Sequence, residues 1–239
     1  MTVSASAAPG VRALRRAAVE AELLEVGRRH LAEHGAAGLS IRAVARDLGM
    51  VPSALFRYVS GRDELLTRLI VAAYTSLGDA VVAAHASAPP DDPRARFWTL
   101  AQALRAWALA HPHEWALVFG TPVPQYEAPG EQTTEPATVV PALLVGIGAD
   151  VYAAGEASPP PFPGADELAL HATEHLRGRD AGRVNPDALP PVALANGITA
   201  WTLLVGAVSS ELFGHQGPNH DPAQLFDYAA RCAEAILFG

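Results

Sequence analysis

The 239-residue chain has a single cysteine, Cys232, and no lysine. A lone thiol excludes an internal disulfide and any cage of several cysteines around zinc or an iron–sulfur cluster, and it fits a reducing compartment. Because lysine is missing, all seventeen basic side chains are arginine; with the excess of alanine this reads as codon bias and carries no chemistry. Charge is scarce: 18% of residues are charged against 50% hydrophobic, far too apolar for an intrinsically disordered chain. Nothing reads as a series of strands. Phosphate-cradling glycine loops, dinucleotide fingerprints and nucleophile elbows are also missing, so most catalytic classes have no starting point. The first ten residues lack the apolar run of a signal peptide, and the expectation is a cytoplasmic protein.

One stretch, residues 192–210, runs without a charge for long enough to span a bilayer. It contains Asn196, Gly197, Thr199, Thr202, Gly206, Ser209 and Ser210, follows Pro190 and Pro191, and has no flanking basic cluster. It therefore reads as a buried helix, and no membrane partner is expected.

The net charge of −8 is unevenly distributed. Residues 1–70 hold ten Arg against seven acidic residues, a net of +3, and the remainder holds seven against eighteen, a net of −11. A basic head on an acidic body suggests an anionic partner for the first segment only.

Apolar residues recur at helical spacing almost throughout, which predicts an all-α fold. Residues 1–16, with Arg12, Arg15 and Arg16, read as a flexible arm that could enter a minor groove or simply be an uninvolved tail. Residues 17–64 read as a three-helix domain with a first helix over 17–34, and residues 65–239 as a larger helical body. In the first domain Ser40 can cap a helix carrying Ile41, Val44, Ala45 and Leu48. A turn of Gly49, Met50 and Val51 follows, and Pro52 opens a helix carrying Leu55, Phe56 and Val59. Two short helices joined in this way have the geometry of a helix-turn-helix. In the body, helices are expected near 94–110, 113–119, 138–154, 166–177, 192–213 and 222–237, with residues 121–136 as a loop. The last helix carries a stripe of Leu225, Ala229, Cys232, Ala233 and Ile236, mostly small, where another helix could approach closely.

Residues 39–66, LSIRAVARDLGMVPSALFRYVSGRDELL, resemble the DNA-binding segment of the tetracycline-repressor (TetR) family. Ser40, the Val44-Ala45 pair, Gly49, Phe56, Tyr58 and Arg62 before Asp63-Glu64-Leu65-Leu66 stand where the family has their counterparts. The resemblance implies a homodimer, each subunit placing the helix from Pro52 in one half of a pseudo-palindromic DNA operator. Arg42, Pro52, Ser53 and Ala54 would face base edges, Arg42 alone being able to bond guanine bidentately. Ser40, Arg57, Tyr58 and Arg62 would hold phosphates. Val51 departs from the usual capping Ser or Thr, and Phe56 from the usual tyrosine, so Phe56 is expected to pack first.

The resemblance extends to residues 97–122, with Trp98, Trp107, His111-Pro112 and Phe119-Gly120, which look like the C-terminal domain of a subgroup named for a Trp-His-Gly signature. Trp201 to Gly206 falls at that signature, with Val205 in the histidine's place. This implies a ligand-binding and dimerisation body that senses an unidentified small-molecule effector and needs no cofactor. Trp98, Trp107, Phe119, Tyr152 and Trp201 are candidate pocket residues, because pockets are mainly apolar and aromatic. The stripe from Leu225 to Ile236 is the candidate dimer face.

Two readings compete. The pattern H-x-x-E-H occurs at His30-Glu33-His34 and at His171-Glu174-His175, and helical histidines four apart can bind zinc in a hydrolase. Alternatively, the chain is a helical protein-interaction module whose first segment only mimics the motif.

Overall fold

Every regular element among the residues described by the computed structural model, 10–155, 164–176, 189–217 and 221–239, is an α-helix. In chain order they are α1 (Val11–His34), α2 (Ile41–Asp47), α3 (Pro52–Leu55), α4 (Arg62–Ser87), α5 (Pro93–Ala110), α6 (Pro112–Phe119), α7 (Gly130–Ala153), α8 (Ala165–Leu176), α9 (Pro191–Leu212) and α10 (Pro222–Phe238). The all-α expectation holds. The chain forms two compact units, Met1–Ile70 with Pro122–Glu127, and Val71–Thr121 with Ala128–Gly239.

In the first unit the apolar stripes of α1, α2, α3 and the start of α4 converge on a core of Leu23, Val26, Val44, Leu55, Leu65 and Leu66, each at most 1% exposed. Helix α1 begins at Val11, so Arg12, Arg15 and Arg16 lie on helix and not on an arm. No breaker stands between Gly10 and Ala17, and alanine, leucine and arginine all propagate helix well. Residues 1–9 of the expected arm lie outside the described residues. The short segment Pro122–Glu127 belongs to this unit, where Thr67 donates to the Asp63 carbonyl at 3.0 Å and the Tyr126 hydroxyl donates to Thr67 Oγ1 at 2.9 Å.

The second unit packs α5, α6, α7, α9 and α10 with the later turns of α4 around Phe97, Leu104, Trp115, Leu144, Leu204 and Phe226. Proline opens α3, α5, α6, α9 and α10, where its missing N–H costs nothing and its fixed φ suits the first turn. The expected loop over 121–136 is shorter than thought, since α7 starts at Gly130 and runs through Pro136 and Pro141. Each internal proline costs a helix about 3 kcal/mol. Burying Val140, Leu144, Val145, Ile147 and Val151 at roughly 1.5–3 kcal/mol each outweighs that. On α10 the residues turned to the core are Phe226, Ala230, Ala233 and Leu237. Ala233 is thus spent on the chain's own core, while Leu225 is 39% exposed and Ala229, Cys232 and Ile236 are half-buried.

Helices α4, α7 and α9 are each long and apolar enough to cross a membrane by length and composition. Their large apolar residues, Leu77 and Val81, Leu144 and Ile147, Leu204 and Val208, are instead buried in the core of the second unit.

Candidate nucleic-acid interface

Residues 48–51 connect α2 to α3. Gly49 takes φ +64°, a left-handed conformation for which glycine has no steric penalty, and Met50 N–H closes the turn on the Ala45 carbonyl at 2.8 Å. Val44 and Ala45 of α2 and Leu55 and Val59 around α3 are buried, which fixes how the pair presents its opposite side. Helix α3 is shorter than expected. After Leu55 the chain tightens, Arg57 and Tyr58 bonding three residues back to Ala54 and Leu55, before Val59 N–H returns to the Leu55 carbonyl.

The side left open holds most of the expected contact residues. Ser40, Arg42, Pro52, Ser53 and Arg57 are exposed; Ala54 and Tyr58 are half-buried. An open groove is lined by Leu39, Ser40, Ile41, Arg42, Pro52, Phe56 and Arg62. Ser40 stands at the N-cap of α2, yet its hydroxyl makes no capping bond. Phe56 is 53% exposed and does not pack into the core as expected, because Leu55 already faces inward next to it. The Arg16 guanidinium sits 5.9 Å from the Tyr58 ring centre, so α1 reaches this side too.

Arg62 is placed differently from the other arginines. Its Nη2 donates to the Ala36 carbonyl at 3.1 Å and to that of Ala37 at 3.4 Å, and its Nη1 lies 3.4 Å from Asp63. It is a strut that ties the start of α4 to the connection after α1. At the same corner the Glu64 carboxylate accepts from the Ser60 N–H at 2.6 Å, and this bond, with Arg68 alongside, holds its pKa below the ordinary value. Sequence reasoning missed Val51 and Ile41 on the open side. For Val51 the signal was a large apolar side chain at a position where a capping hydroxyl is usual.

The candidate pocket aromatics do not converge on one point. Phe119 and Trp201 meet edge to face with ring centres 5.8 Å apart, joined by Trp115 and Tyr74 at 4.3 and 5.9 Å from Phe119. Burial pushes the Tyr74 hydroxyl pKa up. Trp107 instead stacks on His111 at 4.7 Å and donates to Ser76; Trp98 lies between Phe97 and the Arg231 guanidinium; Tyr152 is exposed. Of the two H-x-x-E-H patterns, the first is built into the fold, with His30 donating to Asp47 and its ring edge on His34. The side chains of His171, Glu174 and His175 lie outside the described residues. Among the described residues no group of three or more His, Cys, Asp or Glu could hold a metal ion.

Residues 23–69 match the family described as bacterial regulatory proteins, tetR family, and residues 97–233 match the tetracyclin repressor-like C-terminal domain. The chain is 40% identical over 238 residues to the HTH-type transcriptional regulator Rv1816 of Mycobacterium tuberculosis, covering 95% of this chain and 96% of that one. The crystal structure of SCO4313 superposes with a TM-score of 0.74 at 36% identity, covering 95% and 98% of the two chains. A Rhodococcus sp. RHA1 protein described as of unknown function shares the fold, with a TM-score of 0.67 at 23% identity over 92% and 96%. These matches replace the hydrolase and interaction-module readings: the chain belongs to the TetR family of transcriptional regulators, and is a regulator and not an enzyme.

Proposed function

We propose that the protein is a homodimeric, cytoplasmic repressor of the one-component kind. Each subunit seats α3 in the major groove of one half of a pseudo-palindromic operator, and a small-molecule effector bound in the second unit lowers its affinity for DNA. The observation that carries this reading is the exposed tip at Pro52 and Ser53, beside exposed Arg42 and Arg57, on a scaffold whose other side is buried. Arg42 is the guanine reader, Ser53 a single hydroxyl donor or acceptor, and Ser40, Arg57 and Tyr58 hold phosphates.

Dimerisation through α10, with Leu225, Ala229, Cys232 and Ile236, is supported by the apolar area that helix leaves in solvent, Tyr228 at 68% exposure above all. For the effector, the Tyr74, Trp115, Phe119 and Trp201 cluster is the best-supported wall, being aromatic and only partly buried at Phe119 and Trp201.

The test is a gel shift on the DNA upstream of the gene across a salt series, with sedimentation of the same protein. A steep linear fall of log affinity with log salt and a two-subunit species are expected. A single-subunit species, or salt-insensitive retention, overturns the reading. Replacing Leu225 and Tyr228 together by Glu should give one-subunit protein that loses operator binding. Tryptophan fluorescence during a metabolite screen should report the effector by quenching together with operator release.

A further inference from the structure

The tip of α3 offers little with which to hydrogen-bond a base. Val51, Pro52, Ser53 and Phe56 are all exposed, Val51 at 64%, and only Ser53 has a polar side-chain atom. Pro52 and Phe56, one helical turn apart, line the same groove as Ile41 and Arg42. Pro52 and Phe56 thus put exposed apolar surface into one groove, and exposed Val51 directly precedes Pro52 in the chain. Arg42, which lines the same groove, and exposed Arg57, next to Phe56 in the chain, select a polyanion as the occupant. Among the groups that the floor of a DNA major groove displays, the thymine C5-methyl is the apolar one.

We propose that Val51, Pro52 and Phe56 read thymine by its C5-methyl, with Arg42, which lines the groove beside Pro52 and Phe56, gripping guanine. This inference rests on the DNA-binding reading above and deepens it by naming the chemical group that sets specificity. A valine in place of a capping hydroxyl then has a use: the N-cap position gives up a backbone bond and gains a methyl-sized contact.

The test starts from duplexes selected out of a random pool by the full-length protein. The selected site is resynthesised with uracil in place of thymine at one position at a time, which deletes the methyl and keeps every hydrogen-bonding group. At one or more positions uracil should weaken binding about fourfold, the equivalent of about 0.8 kcal/mol for one buried methyl at roughly 1.4 kcal/mol per tenfold. Val51→Ser and Phe56→Ala should each bring the thymine-to-uracil ratio toward one at a different position and leave the salt slope as it was. Thermal melts of both variants, expected at or above the wild-type midpoint for Val51→Ser, separate lost contact from lost fold. Equal binding of thymine and uracil duplexes overturns the methyl reading and leaves DNA binding standing. A thymine preference that survives in both variants belongs to DNA shape and overturns it as well. Failure to retard any duplex overturns the DNA-binding reading itself, and this inference with it.

Discussion

His30 and Asp47 are joined across α1 and α2 by a 2.8 Å hydrogen bond from the imidazole Nε2–H to a carboxylate oxygen. His30 is 2% exposed, and its other ring nitrogen, Nδ1, is buried with no hydrogen-bond partner. The whole polar contact of that ring is therefore with one carboxylate at the end of the helix that precedes the turn.

This bond, with Arg46 beside it, holds the Asp47 carboxyl below its ordinary value of 3.8. A carboxyl lowered by folding stabilises the fold above its unfolded value, and that contribution is lost as pH falls through the lowered one. Stability should therefore drop on the acid side, below about pH 4. Asp47→Asn should flatten that part of the curve, which urea midpoints taken between about pH 2.5 and pH 6 will show; an unchanged acid slope would count against the pairing.

Arg57 and Arg62 should separate cleanly. Arg57→Ala removes an exposed cation and is expected to reduce the salt slope of DNA binding by about one with little change in melting. Arg62→Ala removes two bonds to backbone carbonyls at a half-buried site, and should cost about 1 kcal/mol of stability while leaving the salt slope near its original value. Denaturant unfolding and salt-titrated gel shifts on the same two variants decide it.

The helix-turn-helix and most long helices were legible because apolar spacing, a proline at the first turn and a glycine stop each act locally. What was illegible depended on partners distant in sequence. Arg62 looks like any exposed basic residue until the Ala36 and Ala37 carbonyls are placed beneath it. Pro136 announces a break that burial along α7 overrules. On α10 the inward face was not legible either, since Leu225 and Phe226 are both apolar and only packing decides that Phe226 turns inward. The open apolar tip was half legible: Val51 and Phe56 were seen as departures, and their exposure was not.

Two glycines on α9 should respond in opposite directions. A Cβ on Gly197 would stand 2.7 Å from a Val145 methyl carbon and 2.8 Å from its Cα, backbone that cannot step aside. Gly197→Ala should cost about 1–3 kcal/mol. At Gly206 nothing lies within 4 Å, and Gly206→Ala should stabilise the helix by about 0.5–1 kcal/mol. Calorimetric melting of both variants reads the signs directly.

Removing one hydroxyl tests the contact between Tyr126 and Thr67. Tyr126→Phe keeps the ring and leaves Thr67 still bonded to the Asp63 carbonyl, so the expected loss is small, about 1 kcal/mol in a urea titration.

That contact also bears on how the protein can be cut. The first unit is not one uninterrupted stretch of polypeptide, because Pro122–Glu127 returns to it from between α6 and α7. A fragment ending at Ile70 would leave Thr67, 4% exposed in the intact chain, without the tyrosine that bonds it. Chimaeras that graft this reading head onto a foreign sensor should carry the returning hexapeptide along with it.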